Sequence, residues 1–351
     1  VLVTMVFSNQ NIEFYEYEIS ELELNNLIDN YLSNFNAYNT RSFNFDLSHK
    51  LFNILIPFDL NGISNIDHIT VVPSDKIIGI PFSTLITNNN NQTLENADWL
   101  INDYSISYLP TLNSIINKKD EEFDSNINFV GFGDPILSDY QNGDLRGDFD
   151  QIMQIKNFQS LPETRQEITK ISSLLNKKNT NNLFFGEKAS EDIVKSFDYS
   201  DTDILMFATH GIMADELVNN YEPGLILTPP DKASDNNNGV LTASEIMALN
   251  LNVDWVLLSA CNTAAGESND SEGLSGLAKS FFYAGARSLL VSQWYVESYS
   301  TVELTTGIFK FLNDNPSLKK GKALQLSKLE LINSDEYKHP FFWAPFILIG
   351  K

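Results

Sequence analysis

DWVLLSAC, residues 254–261, is the stretch on which the reading of this chain turns. Four large apolar residues in a row, Trp255 to Leu258, give way abruptly to Ser259, Ala260 and Cys261. A run this short and this uniformly apolar is the pattern of a strand buried on both faces, as in a parallel sheet with helices on either side. The pattern recurs on both flanks, at INFVGFG (127–133), NNLFFG (181–186), DILMFATHG (203–211), ARSLLVSQW (286–294) and PFILIG (345–350). Helical spacing fills the gaps, at 163–175, 190–197, 242–249, 273–285, 298–312 and 317–332. Ser190 is placed to cap the second of these, and Thr242 with Glu245 forms a capping-box pair at the third. Alternating strands and helices of this kind predict an α/β fold with a mostly parallel central sheet.

The first 125 residues follow a different rhythm. Two strands, 1–7 and 12–19, flank the turn SNQN, and helices over 20–35 and 47–55 follow, the second stopped by Pro57. HITVVP (68–73), KIIGIPF (76–82) and YSISYLP (104–110) read as further strands, with the Asn-rich 87–97 as a surface loop. The expected organisation is a smaller α+β subdomain over 1–125 and a larger α/β subdomain over 126–351. Two polar inserts, 136–160 and 212–239, are too long for plain connections and are expected as surface loops beside a site.

Charge and cysteine content narrow the function. The 46 acidic and 23 basic residues leave a formal charge of −23, which argues against a nucleic-acid partner, since phosphate binding needs clustered Lys and Arg. A basic protein or peptide fits that surface better, although acidity also serves solubility alone. No apolar run reaches the roughly 20 residues of a membrane span, and no signal-peptide pattern opens the chain, so no membrane partner is expected. One cysteine excludes an internal disulfide and points to a reducing, cytoplasmic setting. His49, His68 and His339 lack companions at metal-ligand spacing, and no phosphate-binding glycine loop occurs, so no metal and no cofactor is expected.

The chemistry gathers at two strand ends. Ligands of parallel sheets bind at the carboxyl ends of strands, where His210 closes one apolar run and Cys261, 51 residues later, closes another. A thiolate is a competent nucleophile, and an imidazole can take its proton and return it to a leaving amine. Gly211 follows the histidine and leaves room for backbone N–H groups, its own and that of Cys261, to meet an oxyanion. Taken singly, a cysteine or histidine at a strand end is more often a structural residue, and only the two together, with Gly211 adjacent, make the catalytic and structural readings equal on pattern alone.

FATHG (207–211), LLSACNTAAG (257–266), EGLSGLAKSFFYAGARSLLVSQW (272–294) and HPFFWAPFILIG (339–350) together resemble the CHAT domain, a caspase-like family of the cysteine-peptidase clan that includes caspases and separase. VVPSDKIIGIPFSTL (71–85), YLPTL (108–112), FGDP (132–135) and LPETRQEI (161–168) extend the resemblance over almost the whole chain, in order. It implies a caspase-like three-layer αβα sandwich and a regulated cysteine endopeptidase, with His210 as general acid and base, Cys261 as nucleophile, and Gly211 and Cys261 at the oxyanion hole. It also implies that 1–125 corresponds to an inactive caspase-like half. The expected partners are a protein substrate and an upstream tetratricopeptide-repeat region or activating protein, in keeping with a chain that opens on Val1 rather than Met.

The specificity pocket is less defined. Relatives of the metacaspase type carry an aspartate two residues before the cysteine, where this chain has Ser259. Glu267, Asp270 and Glu272 are candidate sources of negative charge, and Trp294 is a candidate pocket wall. Asp134, before Pro135, is expected to cap a turn. The competing function is a non-catalytic caspase-like interaction or signalling module.

Overall fold

The computed structural model describes all residues except 9–10, 39, 64–65, 91, 112–126, 138–148, 176–181, 232–233, 235, 261–275, 295 and 351. Its strands are β1 (Leu2–Ser8), β2 (Asn11–Tyr17), β3 (His68–Val71), β4 (Ser105–Tyr108), β5 (Phe129–Gly133), β6 (Asn182–Phe185), β7 (Ile204–Ala208), β8 (Gly211–Ile212), β9 (Gly224–Ile226), β10 (Val240–Thr242), β11 (Trp255–Ser259), β12 (Ser288–Ser292) and β13 (Phe346–Ile349). The helices are α1 (Glu21–Leu32), α2 (Phe45–Leu55), α3 (Leu100–Asp103), α4 (Phe149–Ile155), α5 (Pro162–Leu175), α6 (Glu191–Ser196), α7 (Ala243–Met247), α8 (Gly276–Ala284), α9 (Ser298–Asp314), α10 (Lys320–Ile332) and α11 (Pro340–Trp343).

Eight strands form one sheet in the order β3-β4-β13-β12-β11-β7-β5-β6. The single antiparallel joint is β12–β13; every other neighbouring pair runs parallel. The strands on either side of residue 125 therefore share one sheet, and one apolar core runs through both parts. β5, β7, β11, β12 and β13 are buried at every position, which is why they read as unbroken apolar runs.

Strand periodicity assigns the two helical layers. In register, Trp255 lies beside Ile204 and Leu258 beside Phe207, so Trp255 and Phe207 project from opposite faces. Trp255 meets Phe309 of α9 at 5.4 Å, and Phe207 meets Phe281 of α8 at 5.8 Å. α5 and α10 pack on α9, and α7 packs on α8, which gives helix, sheet and helix in three layers. Among the described residues no helix is long and apolar enough to cross a membrane.

Three local expectations change. KIIGIPF is not a strand: Asp75–Gly79 and Phe82–Thr84 are 3₁₀ turns. Ile78, Ile80 and Phe82 are all buried, so the stretch imitates strand alternation, while Pro81 removes a ladder donor and bonds from Ile80 N–H to Ile77 C=O and from Thr84 N–H to Pro81 C=O close the turns. The insert 136–160 contains helix α4. The insert 212–239 is not wholly a surface loop, because Leu225, Ile226 and Leu227 are fully buried and β9 pairs with both β8 and β10. The capping box at Thr242 and Glu245 is present, whereas Ser190 stands at the N-cap of α6 without a side-chain bond.

Candidate active site

β7 and β11 are adjacent central strands, and their register pairs Ala208 with Ser259 at the carboxyl ends. His210 lies two residues beyond the first, and Cys261 two residues beyond the second. Cys261 itself lies outside the described residues, as do Glu267, Asp270 and Glu272. Ala260, the residue before the cysteine, is buried, and its carbonyl accepts a hydrogen bond from Ser292 Oγ at the end of β12.

Both inserts hold His210 in place. From 212–239, the Ile226 N–H donates to the His210 carbonyl at 2.9 Å, and Thr209 Oγ1 donates to the Ile226 carbonyl. From 136–160, Phe158 lies against the imidazole at 5.1 Å, and His210 Nε2 is 2.7 Å from the Gln159 carbonyl. A carbonyl only accepts, so Nε2 carries the proton and Nδ1 keeps its lone pair. Burial holds the imidazole pKa below its ordinary 6.5, against the opposing pull of the Gln159 carbonyl and the Glu163 carboxylate. The ring is accordingly neutral at pH 7 and able to accept a proton.

Gly211 begins β8 and pairs with Leu225. It is not among the glycines with positive φ, so a left-handed backbone does not account for glycine at this position.

A narrow cleft of about 40 Å³ opens at these strand ends, with Glu163, Glu167, His210, Ser259, Ala260 and Thr301 among its walls. Ser259 is buried and its Oγ donates to Glu167 Oε2 at 3.2 Å. Glu167 was not legible as a site residue. It lies on α5, whose buried positions Thr164, Glu167, Ile168, Ile171, Ser172 and Leu175 trace one helical stripe, and an acid on that stripe is the signal that could have found it. Thr305 Oγ1 donates to its other oxygen at 2.8 Å, and burial raises its pKa from 4.5 to about 7.

Trp294 stands apart from that cleft. Its ring stacks on Phe35 at 4.5 Å, and Nε1 donates to the Phe341 carbonyl at 3.1 Å. Asp134 adopts φ +46° at the end of β5, and its carboxylate pairs with Arg165 Nε at 2.7 Å.

The CHAT domain family model matches residues 46–351. The chain belongs to the CHAT domain family. Over 112 residues it is 32% identical to tetratricopeptide repeat protein 28 of Mus musculus, and over 115 residues 32% identical to that of Homo sapiens. Each alignment spans 32% of this CHAT chain and 4% of the relative. Among solved structures, the separase–securin complex of Saccharomyces cerevisiae matches with a TM-score of 0.50 at 13% identity, over 82% of this chain and 16% of the other. Gingipain R, an Arg-specific cysteine proteinase, matches with a TM-score of 0.52 at 9% identity, over 94% and 74% of the two chains. At these identities the likeness is one of fold: a mixed α/β architecture with a mostly parallel sheet, shared with caspase-like cysteine peptidases.

Proposed function

We propose that this CHAT domain is a regulated cysteine endopeptidase in which Cys261 is the nucleophile and His210 the general acid and base. The observation that carries the reading is the Gln159–His210 hydrogen bond, which leaves Nδ1 as the free basic nitrogen at the end of the strand beside the one that leads into Cys261. In this scheme Nδ1 takes the thiol proton, the sulfur attacks the scissile carbonyl, and the imidazolium returns the proton to the departing amine. Water then cleaves the thioester with the same imidazole as base. The backbone N–H groups of Gly211 and Cys261 receive the oxyanion, and the absent side chain of Gly211 keeps that approach open. The substrate is a segment of another protein. The tetratricopeptide-repeat relatives support an association with helical repeats, and a free thiol suits a reducing compartment such as the cytoplasm.

The test is the rate at which iodoacetamide alkylates Cys261 across pH. A dyad predicts alkylation at pH 7 at least about tenfold faster in the wild type than in His210→Ala. Equal rates, both following an ordinary thiol near pH 8.5, would contradict the assignment.

A further inference from the structure

We propose that the cleft beneath His210 is a slot for a cationic side chain, recognised by the Glu167 carboxylate. The inference rests on the peptidase reading of the same site and adds the class of residue that the site accepts.

Three observations carry it. The first is the donor set around Glu167. Glu167 is 1% exposed, and its hydrogen-bond partners among the described residues, Ser259 Oγ and Thr305 Oγ1, are neutral hydroxyls. An ionised carboxylate offers about four lone-pair sites, so these two donors leave acceptor capacity unused. Among the described residues no Lys or Arg forms an ion pair with it, and a buried carboxylate without a cation costs folding free energy that a bound cation would offset.

The second is Thr301. It lines the same cleft, is 4% exposed, and its Oγ1 has no hydrogen-bond partner among the described residues. A buried hydroxyl left unpaired is unfavourable, and its place on the cleft wall makes it available to a donor that enters from outside.

The third is shape and charge together. About 40 Å³ holds roughly three waters at 10–15 Å³ each, which suits a slim side chain rather than an aromatic ring. Glu163 stands on the same wall, its Oε1 accepting from Ser298 Oγ at 2.6 Å, and the only other titratable side chain among the described lining residues is His210, neutral at pH 7. The slot therefore presents two carboxyl groups, of which Glu167 is drawn to its ionised form by an entering cation, and no fixed positive charge. Ser259 leaves no acid on β11 itself, and its hydroxyl instead holds an acid that arrives from α5.

The experiment uses the full chain carrying Cys261→Ala, so that bound peptides stay intact, and measures by calorimetry the affinity of capped peptides with Lys, Arg or norleucine at the position preceding the scissile bond. A charge-assisted contact predicts that the Lys or Arg peptide binds about 10- to 100-fold more tightly than the norleucine peptide. Adding Glu167→Gln should reduce that preference to within about threefold. Thr301→Val, which keeps the shape and removes the free hydroxyl, should weaken the cationic peptide several-fold and leave norleucine unchanged; it stands as an independent variant should Glu167→Gln fail to fold. A purely structural Glu167 would leave the ratio untouched. Equal affinity for Lys, Arg and norleucine, a preference that survives Glu167→Gln, or no measurable binding of any peptide would overturn the proposal. A cationic preference in a protein whose wild type cleaves nothing keeps the slot and removes the peptidase reading; cleavage after apolar residues without cationic preference does the reverse.

Discussion

Lys328→Met should make the protein more stable, and by an amount that depends on pH. Lys328 lies on α10 at 2% exposure, facing the last strand, with its Nζ 3.5 Å from Ser83 Oγ, a distance too long for a strong bond. The space around it, about 10 Å³, admits at most one water. Burial without a carboxylate partner among the described residues brings the amine pKa down from 10.5 to about 7. The unfolded chain therefore binds the proton more readily than the folded one, so this group makes wild-type stability rise with pH between about 7 and 10.5. At 1.36 kcal/mol per pKa unit, the charged form costs folding up to about 5 kcal/mol below pH 7, and relaxation around the ammonium reduces what is measured. Methionine matches the stem's volume and carries no charge, so the variant should gain about 2–5 kcal/mol at pH 6 and less than about 1 kcal/mol at pH 10.5. Urea midpoints of both proteins across that range read the difference directly. Equal midpoints at every pH, or a variant less stable at pH 6, would refute the reasoning.

Glu167 imposes the opposite slope. Its carboxyl pKa is raised from 4.5 to about 7, so the stability it contributes is fully present below 4.5 and lost as pH rises through 7, and Glu167→Gln should flatten that segment of the urea-midpoint profile. The His210 imidazole titrates below 6.5, so the acid limb of the rate profile should have its midpoint below that value, and a midpoint above it would place another group in the rate-determining proton transfer. Gly285→Ala should cost more than about 3 kcal/mol by thermal unfolding, because φ is +113° and a Cβ would stand 1.9 Å from the Leu251 carbonyl oxygen.

The middle of the sheet was readable because burial on both faces writes an apolar run into β5, β7, β11, β12 and β13, with no alternation to misplace. β7 and β11 show it, and in the sequence His210 and Cys261, the proposed pair, follow just after their apolar runs stop. KIIGIPF misled for the same reason in reverse: Ile78, Ile80 and Phe82 are buried in a chain that turns instead of extending, and burial alone does not distinguish the two. The insert 212–239 was read by its Asn, Asp and Pro content, yet the short stretch Leu225–Leu227 within it is what pins the backbone of His210. Glu167 escaped because an acid within PETRQEITKISSLL looks like solvent-facing helix, and only the phase of the stripe places it inward. The Gln159 carbonyl has no sequence signature at all, since any residue supplies one.

The most direct measurement is cleavage of a peptide library, with all residues represented before the scissile bond, by the wild-type chain beside Cys261→Ala and His210→Ala. Cleavage by the wild type that disappears in both variants is the predicted result. Cleavage that persists in either variant would contradict the assignment of Cys261 and His210 as the catalytic pair.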